Sequence, residues 1–516
     1  MSRRRRSERA AEEQRLAERE ATPIVEGTRR AVPFADVWLL LAFLLPNVVT
    51  LAWGFVYDDG PIIVENAKLH SLSHLGGIWT GGYWPDRPGL VLYRPVSQSL
   101  WAFLWSAGGG RPLPFHALSL LLGATVVVLA FRLLVSLRVE VRIAFLAALL
   151  FAVLPVHVEA TASVVGSAEL LAAALGVGAL LAYRRNRRWA ALGLWTIAVF
   201  AKESAAALPA LIPVFLLVDG VRRVPWRTLG REAVAVGAVV VVALAARNAV
   251  AVGPPFIPAI DNPMALVDPG RRVLTALWVQ VLYLARAIVP FGLSADYSYK
   301  QVPLVMGLHD VRAWAGLVIA GAAVLASWKR PASRLPMALW VAPFLPTANL
   351  LFPIGTMMGE RLAYLPTLGL TLGAAMAMTG LGPGRRKALI ALVVAIFSFA
   401  TWNRNLVWKD ADSFYPALVE SAPGSARAWY SLGVWHAARW RDAEALEAYD
   451  RAVGIFVPYP EAWNNRGNAL VALGRLEDAK ESYRQAVRFD PGHKGAAASL
   501  EALELGLRFE PKRKKL

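Results

Sequence analysis

The first four hundred residues alternate long apolar runs with short polar stretches. The runs approach the length of about 20 residues that an α-helix needs to cross the hydrocarbon of a bilayer. Twelve runs stand out, at residues 36–54, 115–135, 142–156, 167–183, 189–201, 204–218, 233–250, 273–290, 311–328, 335–352, 362–380 and 387–402. This pattern predicts an all-α fold with a polytopic helical membrane domain.

Basic residues cluster beside these runs. The chain has 55 lysines and arginines against 37 aspartates and glutamates, which gives a formal net charge of +18. The clusters are MSRRRR at the start, RRNRR at 184–188, GRRK at 384–387 and PKRKK near the end. Such clusters are typical of cytoplasmic anchors under the positive-inside rule. Without an aromatic recognition surface they do not indicate a nucleic-acid partner.

The basic clusters also predict how the chain crosses the membrane. With the N-terminal tail in the cytoplasm, the first run carries residues 55–66 to the outside. The run at 273–290 contains Arg286 and is predicted to embed without crossing, because this keeps the clusters at 328–330 and 384–387 in the cytoplasm. The pattern therefore predicts about eleven crossings and an extracytoplasmic C-terminal region.

After residue 402 the composition becomes that of a soluble protein, and a shift of 34 residues aligns the chain with itself. The matching pairs are Trp429 with Trp463, Gly433 with Gly467, Ala445 with Ala479, Tyr449 with Tyr483, and Ala452 with Ala486. This period and these residue types are those of the tetratricopeptide repeat. A half repeat at 413–425 and a capping helix at 494–508 complete the prediction of a short α-solenoid.

The two patterns divide the chain into four parts. They predict a basic cytoplasmic tail at 1–33, a membrane domain at 34–404, a repeat domain at 405–509 and a basic tail at 510–516. A short solenoid usually binds an extended peptide or another protein on its concave face. The alternative is that it only stiffens or roofs the membrane domain.

Ionisable and polar residues recur where the predicted helices reach the outer side. Unpaired charges in or beside a bilayer cost several kcal/mol, so such residues pair with one another or line a polar pathway. Each one alone could be an interfacial cap or a helix–helix salt bridge, but six separate loops supply them. They are Asp58, Asp59, Tyr93, Arg94, His157, Glu159, Lys202, Glu203, Asp296, Glu360 and Arg361.

Several of the same stretches resemble a known family. They are VYDDGPIIVEN, LYRPV, FHALSLLL, FAVLPVHVEATASVVGSAELLA, FAKES, DYSY and NLLFPIGTMMGERLAYLPTLG, followed by the repeats. Their order, from about residue 38 to residue 508, is similar to that of the transmembrane and tetratricopeptide-repeat-containing O-mannosyltransferases. That family belongs to the wider GT-C class of polyprenyl-phosphate-sugar transferases.

The resemblance implies a GT-C membrane domain that takes a sugar from a lipid-phosphate carrier on the outer face and passes it to an acceptor hydroxyl. Mannose and protein serine or threonine are the favoured sugar and acceptor. The catalytic base implied by the family is Asp58 or Asp59, and the implied helpers are Arg94, His157, Glu159, Lys202, Glu360 and Arg361. The chain departs from the family at Ser167, where an arginine is usual, and at Gly60, where a histidine is frequent.

The chemistry of such a transfer fits these residue types. A sugar on a lipid phosphate already carries a good leaving group, so a base for the acceptor proton and cations for the departing phosphate suffice. Asp58 is preferred as the base, with Asp59 orienting it or binding a metal. Repulsion between the two carboxylates should raise the proton affinity of one of them. The predicted phosphate contacts are Arg361, Arg94 and Lys202, and the predicted supporting residues are Glu360, His157, Glu159, Tyr93 and Asp296.

Two alternatives stay open at this point. The acidic pair could simply cap the first crossing, and the whole chain could be a non-catalytic scaffold whose repeats recruit envelope proteins. The sequence has no cysteine and no zinc signature, so no metal ligands are assigned. A divalent cation on the acidic residues is left open, because magnesium or manganese binds carboxylates without a recognisable spacing.

Overall fold

The computed structural model describes residues 32–85, 92–218, 226–251 and 256–507. Every regular element in these ranges is helical, so the predicted all-α class is confirmed for the described residues. Twenty-one α-helices in these ranges are joined by 3₁₀ helices, a π-helix at Gly60–Val64 and loops. The two predicted basic tails lie outside the described residues, except for positions 32 and 33.

The first half of the membrane domain contains eight α-helices. They are α1 (Ala35–Asn47), α2 (Leu75–Trp79), α3 (Pro95–Gly108), α4 (Leu113–Ser136), α5 (Val141–Ala152), α6 (Val158–Ala162), α7 (Ser167–Arg184) and α8 (Arg188–Ala201). The second half contains α9 (Ile212–Val218), α10 (Trp226–Ala249), α11 (Pro269–Ile288), α12 (Val311–Lys329), α13 (Arg334–Phe344), α14 (Thr367–Met378) and α15 (Pro383–Val407). All twelve apolar runs of the sequence therefore contain helix.

Fewer helices than predicted are long and apolar enough to cross a membrane. Among the described residues they are Ala35–Ala52, Leu113–Ser136, Ser167–Arg184, Leu229–Ala249, Val311–Lys329 and Pro383–Val407. The pair α5 and Pro155–Ala162, bent by 56°, could form a seventh span. These helices fit a multi-pass membrane protein, but the predicted count of about eleven crossings is not confirmed.

The remaining runs fall short because their helices are brief or interrupted. The run at 204–218 is a 3₁₀ helix, Glu203–Leu211, followed by the short α9, and Pro209 lies inside it. Proline removes a backbone donor and blocks a continuous α-helix. Helix α11 is long enough but carries charged residues, including Arg286, and is not among the six. Whether residues 273–290 cross the membrane stays a prediction.

Small residues let the membrane helices approach one another closely. A Cβ atom at Gly369 in α14 would lie 2.3 Å from the backbone oxygen of Pro336 in α13. Such a separation is far below van der Waals contact, so only glycine allows this crossing. The crossing matters for the site, because α14 begins directly after the segment that carries Glu360 and Arg361.

The repeat domain consists of two antiparallel helix pairs with one helix before them and one after. The pairs are α17 (Ala426–Ala437) with α18 (Asp442–Ile455) and α19 (Pro460–Ala472) with α20 (Leu476–Phe489). Helix α16 (Ala411–Ser421) precedes them as the predicted half repeat, and α21 (Lys494–Glu504) follows as the predicted capping helix. The predicted 34-residue period is visible in the contacts. The indole nitrogens of Trp429 and Trp463 donate to the backbone oxygens of Pro423 and Val457, at 2.9 Å and 2.7 Å.

The loop after α11 seats the repeat domain on the membrane domain. The backbone nitrogen of Ala426 donates to the Tyr299 oxygen at 3.1 Å, and that of Lys300 donates to the Gly424 oxygen at 3.2 Å. The Gln301 side chain donates to the Ser421 oxygen and accepts from the Gly424 nitrogen. Because each of these bonds involves the backbone of the repeat domain, the first repeat helices have a defined position next to the membrane helices.

Gly433 tests the close packing inside a repeat. A Cβ atom there would lie 2.5 Å from the ring of Tyr449, whereas a Cβ atom at Gly454 in α18 would meet nothing within 4 Å. Gly433→Ala should destabilise the repeat domain by about 1–3 kcal/mol through overpacking. Gly454→Ala should leave stability unchanged or raise it by up to about 1 kcal/mol, because alanine favours helix. The apparent unfolding temperature of each purified variant measures this, and equal temperatures would contradict the packing argument.

Candidate functional site

Asp58 and Asp59 follow the first membrane helix but have different surroundings. Asp59 is buried, and its carboxylate accepts hydrogen bonds from the backbone nitrogens of Val56 (3.2 Å), Val164 (3.3 Å) and Val165 (2.9 Å). It also accepts from the Ser163 hydroxyl at 3.2 Å. With four donors around it, Asp59 ties the loop after α1 to the segment that precedes α7.

Burial raises the pKa of Asp59 to about 6. The backbone donors of Val165, Val56 and Val164 oppose this rise, because hydrogen bonds to a carboxylate favour its charged form. The neighbouring charge of Asp58 raises the pKa too, but it is the smallest of these causes. The expected rise in proton affinity therefore falls on Asp59, and it comes mainly from desolvation rather than from repulsion within the pair.

Asp58 faces Arg361. The Asp58 Oδ2 atom lies 3.4 Å from Nη1 and 3.5 Å from Nη2 of Arg361, and both side chains keep some exposure, 21% and 29%. On its other side, Arg361 Nε lies 3.4 Å from Glu159 Oε1. The Arg361 backbone nitrogen donates to Glu159 Oε2 at 2.9 Å. The structure thus brings together three of the predicted residues, with one guanidinium between two carboxylates.

Two more ion pairs stand beside this centre. Arg94 Nε donates to Glu203 Oε2 at 2.9 Å, and the Arg94 guanidinium lies 4.9 Å from the ring centroid of Tyr83. Lys202 Nζ lies 2.6 Å from Glu169 Oε2, with both side chains almost fully buried. Burial lowers the pKa of Lys202, the charge of Glu169 opposes this, and the charges of Arg94 and Arg361 lower the pKa further. The three predicted phosphate-binding cations therefore form one cluster, and each of them has a carboxylate partner.

Glu169 is the residue that sequence reasoning missed. It lies in α7, pairs with Lys202, and accepts a hydrogen bond from the Ser204 hydroxyl at 3.0 Å. The sequence could have identified Glu169, because an acidic residue in a long apolar helix is energetically costly unless a cation pairs with it. Glu169 and Ser204 also line a small cavity whose other walls are apolar, including Leu208 and Leu362.

Glu360 lies beside Arg361 in sequence but anchors a different loop. Its Oε1 atom accepts from the backbone nitrogen of Ser294 at 2.5 Å and from the Tyr297 hydroxyl at 2.7 Å. Arg404 lies 3.7 Å from its other oxygen. Burial raises the pKa of Glu360 to about 7, and the charge of Arg404 opposes the rise.

The other three predicted supporting residues contact their surroundings rather than Asp58. His157 Nε2 lies 2.7 Å from the Thr367 hydroxyl, in a buried aromatic environment. The Tyr93 hydroxyl donates to the Trp79 backbone oxygen at 2.8 Å. Asp296 is buried where the repeat domain is seated, and it accepts from the Ser298 nitrogen at 2.7 Å and from the Ser425 hydroxyl at 2.9 Å.

Ser167, one of the departures from the family pattern, is buried at the start of α7. Its hydroxyl accepts from the Trp101 indole nitrogen at 2.9 Å and donates to the Val164 backbone oxygen at 2.6 Å. It therefore supplies no charge to the cluster. Within the ranges that the structure describes, no group of three or more histidine, aspartate or glutamate side chains could hold a metal ion.

The comparisons with known proteins agree with this organisation. Residues 252–324 match the family model described as protein O-mannosyl-transferase TMTC, DUF1736, and residues 460–493 match the tetratricopeptide-repeat model. Protein O-mannosyl-transferase TMTC3 of Homo sapiens is 23% identical over 528 residues, which cover 90% of this chain and 57% of the relative. TMTC4 of Homo sapiens is 28% identical over 466 residues, with 77% and 63% covered.

A third relative, protein O-mannosyl-transferase Tmtc1 of Drosophila melanogaster, is 25% identical over 566 residues, with 87% of this chain and 61% of the relative covered. The chain thus spans 57–63% of the length of these relatives. The matches confirm the resemblance seen in the sequence: over most of its length the chain is similar to transmembrane and tetratricopeptide-repeat-containing O-mannosyltransferases.

Proposed function

We propose that the chain is a membrane glycosyltransferase that moves a sugar from a polyprenyl-phosphate carrier to an acceptor hydroxyl on the extracytoplasmic side. Mannose and protein serine or threonine are favoured, because the relatives are named protein O-mannosyl-transferases. The observation that carries the proposal is the 3.4 Å contact between Asp58 and Arg361. It puts a carboxylate that can take a proton next to a cation that can bind phosphate.

The reaction needs one proton transfer and one displacement. Asp58 takes the proton from the acceptor hydroxyl as its oxygen forms a bond to the anomeric carbon of the sugar. The bond between that carbon and the phosphate oxygen breaks, and its electron pair stays on the departing polyprenyl phosphate. Arg361 stabilises the negative charge that develops there, since a guanidinium can engage two phosphate oxygens at once.

Asp58 suits the base better than Asp59. The oxygens of Asp59 are occupied by four donors, and the side chain is sealed from solvent. Asp58 contacts only Arg361 among the charged groups within ion-pair distance in the described part of the chain, and an acceptor can reach it. We therefore assign the proton transfer to Asp58 and the shaping of the loop to Asp59.

Among the three cations, Arg361 suits the donor phosphate best. Its contacts with Asp58 and Glu159 are both 3.4 Å, which is long for a charge-assisted hydrogen bond, so a phosphate can compete for its donors. Arg94 and Lys202 are held closer by Glu203 and Glu169. Their contact with the donor requires one of these pairs to open.

The repeat domain is the proposed docking element for a protein or peptide acceptor. Tetratricopeptide repeats bind proteins on extended surfaces, and the backbone bonds of Lys300 and Ala426 keep this domain next to the loop after α11. An acceptor held by the repeats would therefore lie close to Asp58.

Transfer in a purified system tests the proposal directly. The full chain in lipid nanodiscs would be given a set of polyprenyl-phosphate sugars and a peptide rich in serine and threonine. A hexose-sized mass increase with the mannose donor is the expected result. No transfer from any donor would instead favour the non-catalytic scaffold.

Asp58→Asn should abolish most of the transfer while the protein stays folded. The loss of a general base lowers the rate by about 10²- to 10⁴-fold. Asp59→Asn is the contrasting variant, because an amide that faces four donors loses hydrogen bonds and lowers the unfolding temperature as well. Initial rates and thermal unfolding of both variants measure this. An Asp58→Asn protein with the parent rate would rule out the assignment.

Arg361→Ala should weaken donor binding by about 10- to 100-fold, the factor expected when one hydrogen-bonded charge worth about 1.5–3 kcal/mol is lost. The control is Arg132→Ala, which removes a half-exposed arginine paired with Asp36 elsewhere on the membrane helices. Titration with polyprenyl-phosphate mannose gives both affinities. Tight binding retained by Arg361→Ala would show that this cation does not hold the phosphate.

A further inference from the structure

The residue before Asp58 has an unusual backbone. Tyr57 has a φ angle of 59°, in the left-handed region, where a residue with a side chain costs about 1–2 kcal/mol. Such a conformation persists only when the surrounding structure imposes it. The loop is fixed after this point by the four hydrogen bonds to Asp59. What holds Tyr57 itself is therefore relevant to where Asp58 points.

The ring of Tyr57 rests on Phe414 of the repeat domain. The two ring centroids are 5.1 Å apart, and Phe414 is buried against Trp408 (4.8 Å) and Tyr415 (5.5 Å). Phe414 lies in α16, the helix that starts three residues after Trp408. The surface beneath Tyr57 is thus a packed aromatic cluster that belongs mainly to the start of the repeat domain.

The same helix also reaches the arginine side of the site. The Ser421 hydroxyl donates to the Ser294 hydroxyl at 3.1 Å, and the Ser294 backbone nitrogen donates to Glu360 at 2.5 Å. Glu360 immediately precedes Arg361. A continuous path of hydrogen bonds therefore runs from α16 to the segment that presents the guanidinium.

Phe414 and Ser421 are seven residues apart, which is about two turns of an α-helix, so they lie on one face of α16. That face contacts Tyr57 in the loop of Asp58 at one end, and at the other end it contacts Ser294, which in turn bonds to Glu360 next to Arg361. We propose that α16 is a positioning element, and that one face of it sets the distance between Asp58 and Arg361. Phe414 and Ser421 act through Tyr57 and Glu360, so they are positioning residues and not catalytic ones.

This inference rests on the proposed function for its effect on rate, but its geometric part can be tested without activity. The chain contains no cysteine, so Asp58→Cys introduces the single thiol of the protein. The rate of maleimide labelling at that thiol reports how the loop is held. Adding Phe414→Ala should raise this rate by about 5- to 30-fold, the factor that corresponds to releasing 1–2 kcal/mol of constraint.

Two control variants separate positioning from general loss of stability. Glu420→Ala changes an exposed residue of the same helix, and Tyr483→Leu removes a buried ring from α20 without touching Tyr57. Both should leave the labelling rate unchanged. If Phe414→Ala fails to fold, the smaller change Phe414→Leu takes its place, with an increase in the same direction.

With Asp58 in place, Phe414→Ala and Ser421→Ala should each lower kcat by about 5- to 30-fold. Phe414→Ala, which acts on the Asp58 loop, should leave the KM for polyprenyl-phosphate mannose unchanged. Tyr57→Ala should not add to the loss caused by Phe414→Ala, because the two rings act as one unit. Tyr57→Phe, which keeps the ring, should retain the parent kcat.

The outcomes distinguish the two proposals. Labelling that is the same in Phe414→Ala as in the two controls would overturn the positioning role. Labelling that rises while the parent chain transfers no sugar would support the positioning role and refute the proposed function. A fall in kcat for both controls equal to that of Phe414→Ala would also overturn the inference, since the effect would then be one of stability.

Discussion

The site depends on ion pairs, because a charged side chain without a partner is energetically unfavourable beside a membrane. A buried ion without a partner costs several kcal/mol, and removing one member of a buried pair leaves that cost uncompensated. The described residues meet this constraint by matching Arg94 with Glu203, Lys202 with Glu169, and Arg361 with both Glu159 and Asp58. Every cation of the cluster is therefore held in place by an acid from another part of the chain.

The pairing is unequal, and the proposed chemistry rests on this inequality. Lys202 and Glu169 are tightly paired and almost fully buried, so this ion pair holds α7 and the segment after α8 together. The Arg361 guanidinium contacts both Asp58 and Glu159 at longer distances and remains partly exposed. A ligand anion can replace part of such a loose contact at low cost, whereas it cannot easily enter a tight pair.

Sequence reasoning identified the parts of this arrangement that follow from local patterns. The 34-residue period identified Gly433 and Tyr449 as repeat positions, and the structure packs one against the other. The acidic residues beside apolar runs pointed to Asp58 and Glu159, which both pair with Arg361. It could not show that Asp59 is enclosed by donors from residues 163–165, because those donors belong to a distant part of the chain. Sequence reasoning also could not fix the number of membrane crossings, since short apolar helices and spanning helices share the same composition.

The segment that matches the TMTC-type family model gains a physical meaning from these contacts. Residues 252–324 include Ser294, which bonds to Glu360 and Ser421, and Asp296, which bonds to Ser425. One loop of this segment therefore touches both the arginine side of the site and the first repeat helices. This loop therefore connects the seating of the repeats with the arginine side of the site, while the contact of Phe414 with Tyr57 connects it with the loop of Asp58. The membrane domain and the repeats are linked at both places, and the loop between α11 and α12 is one of the two links.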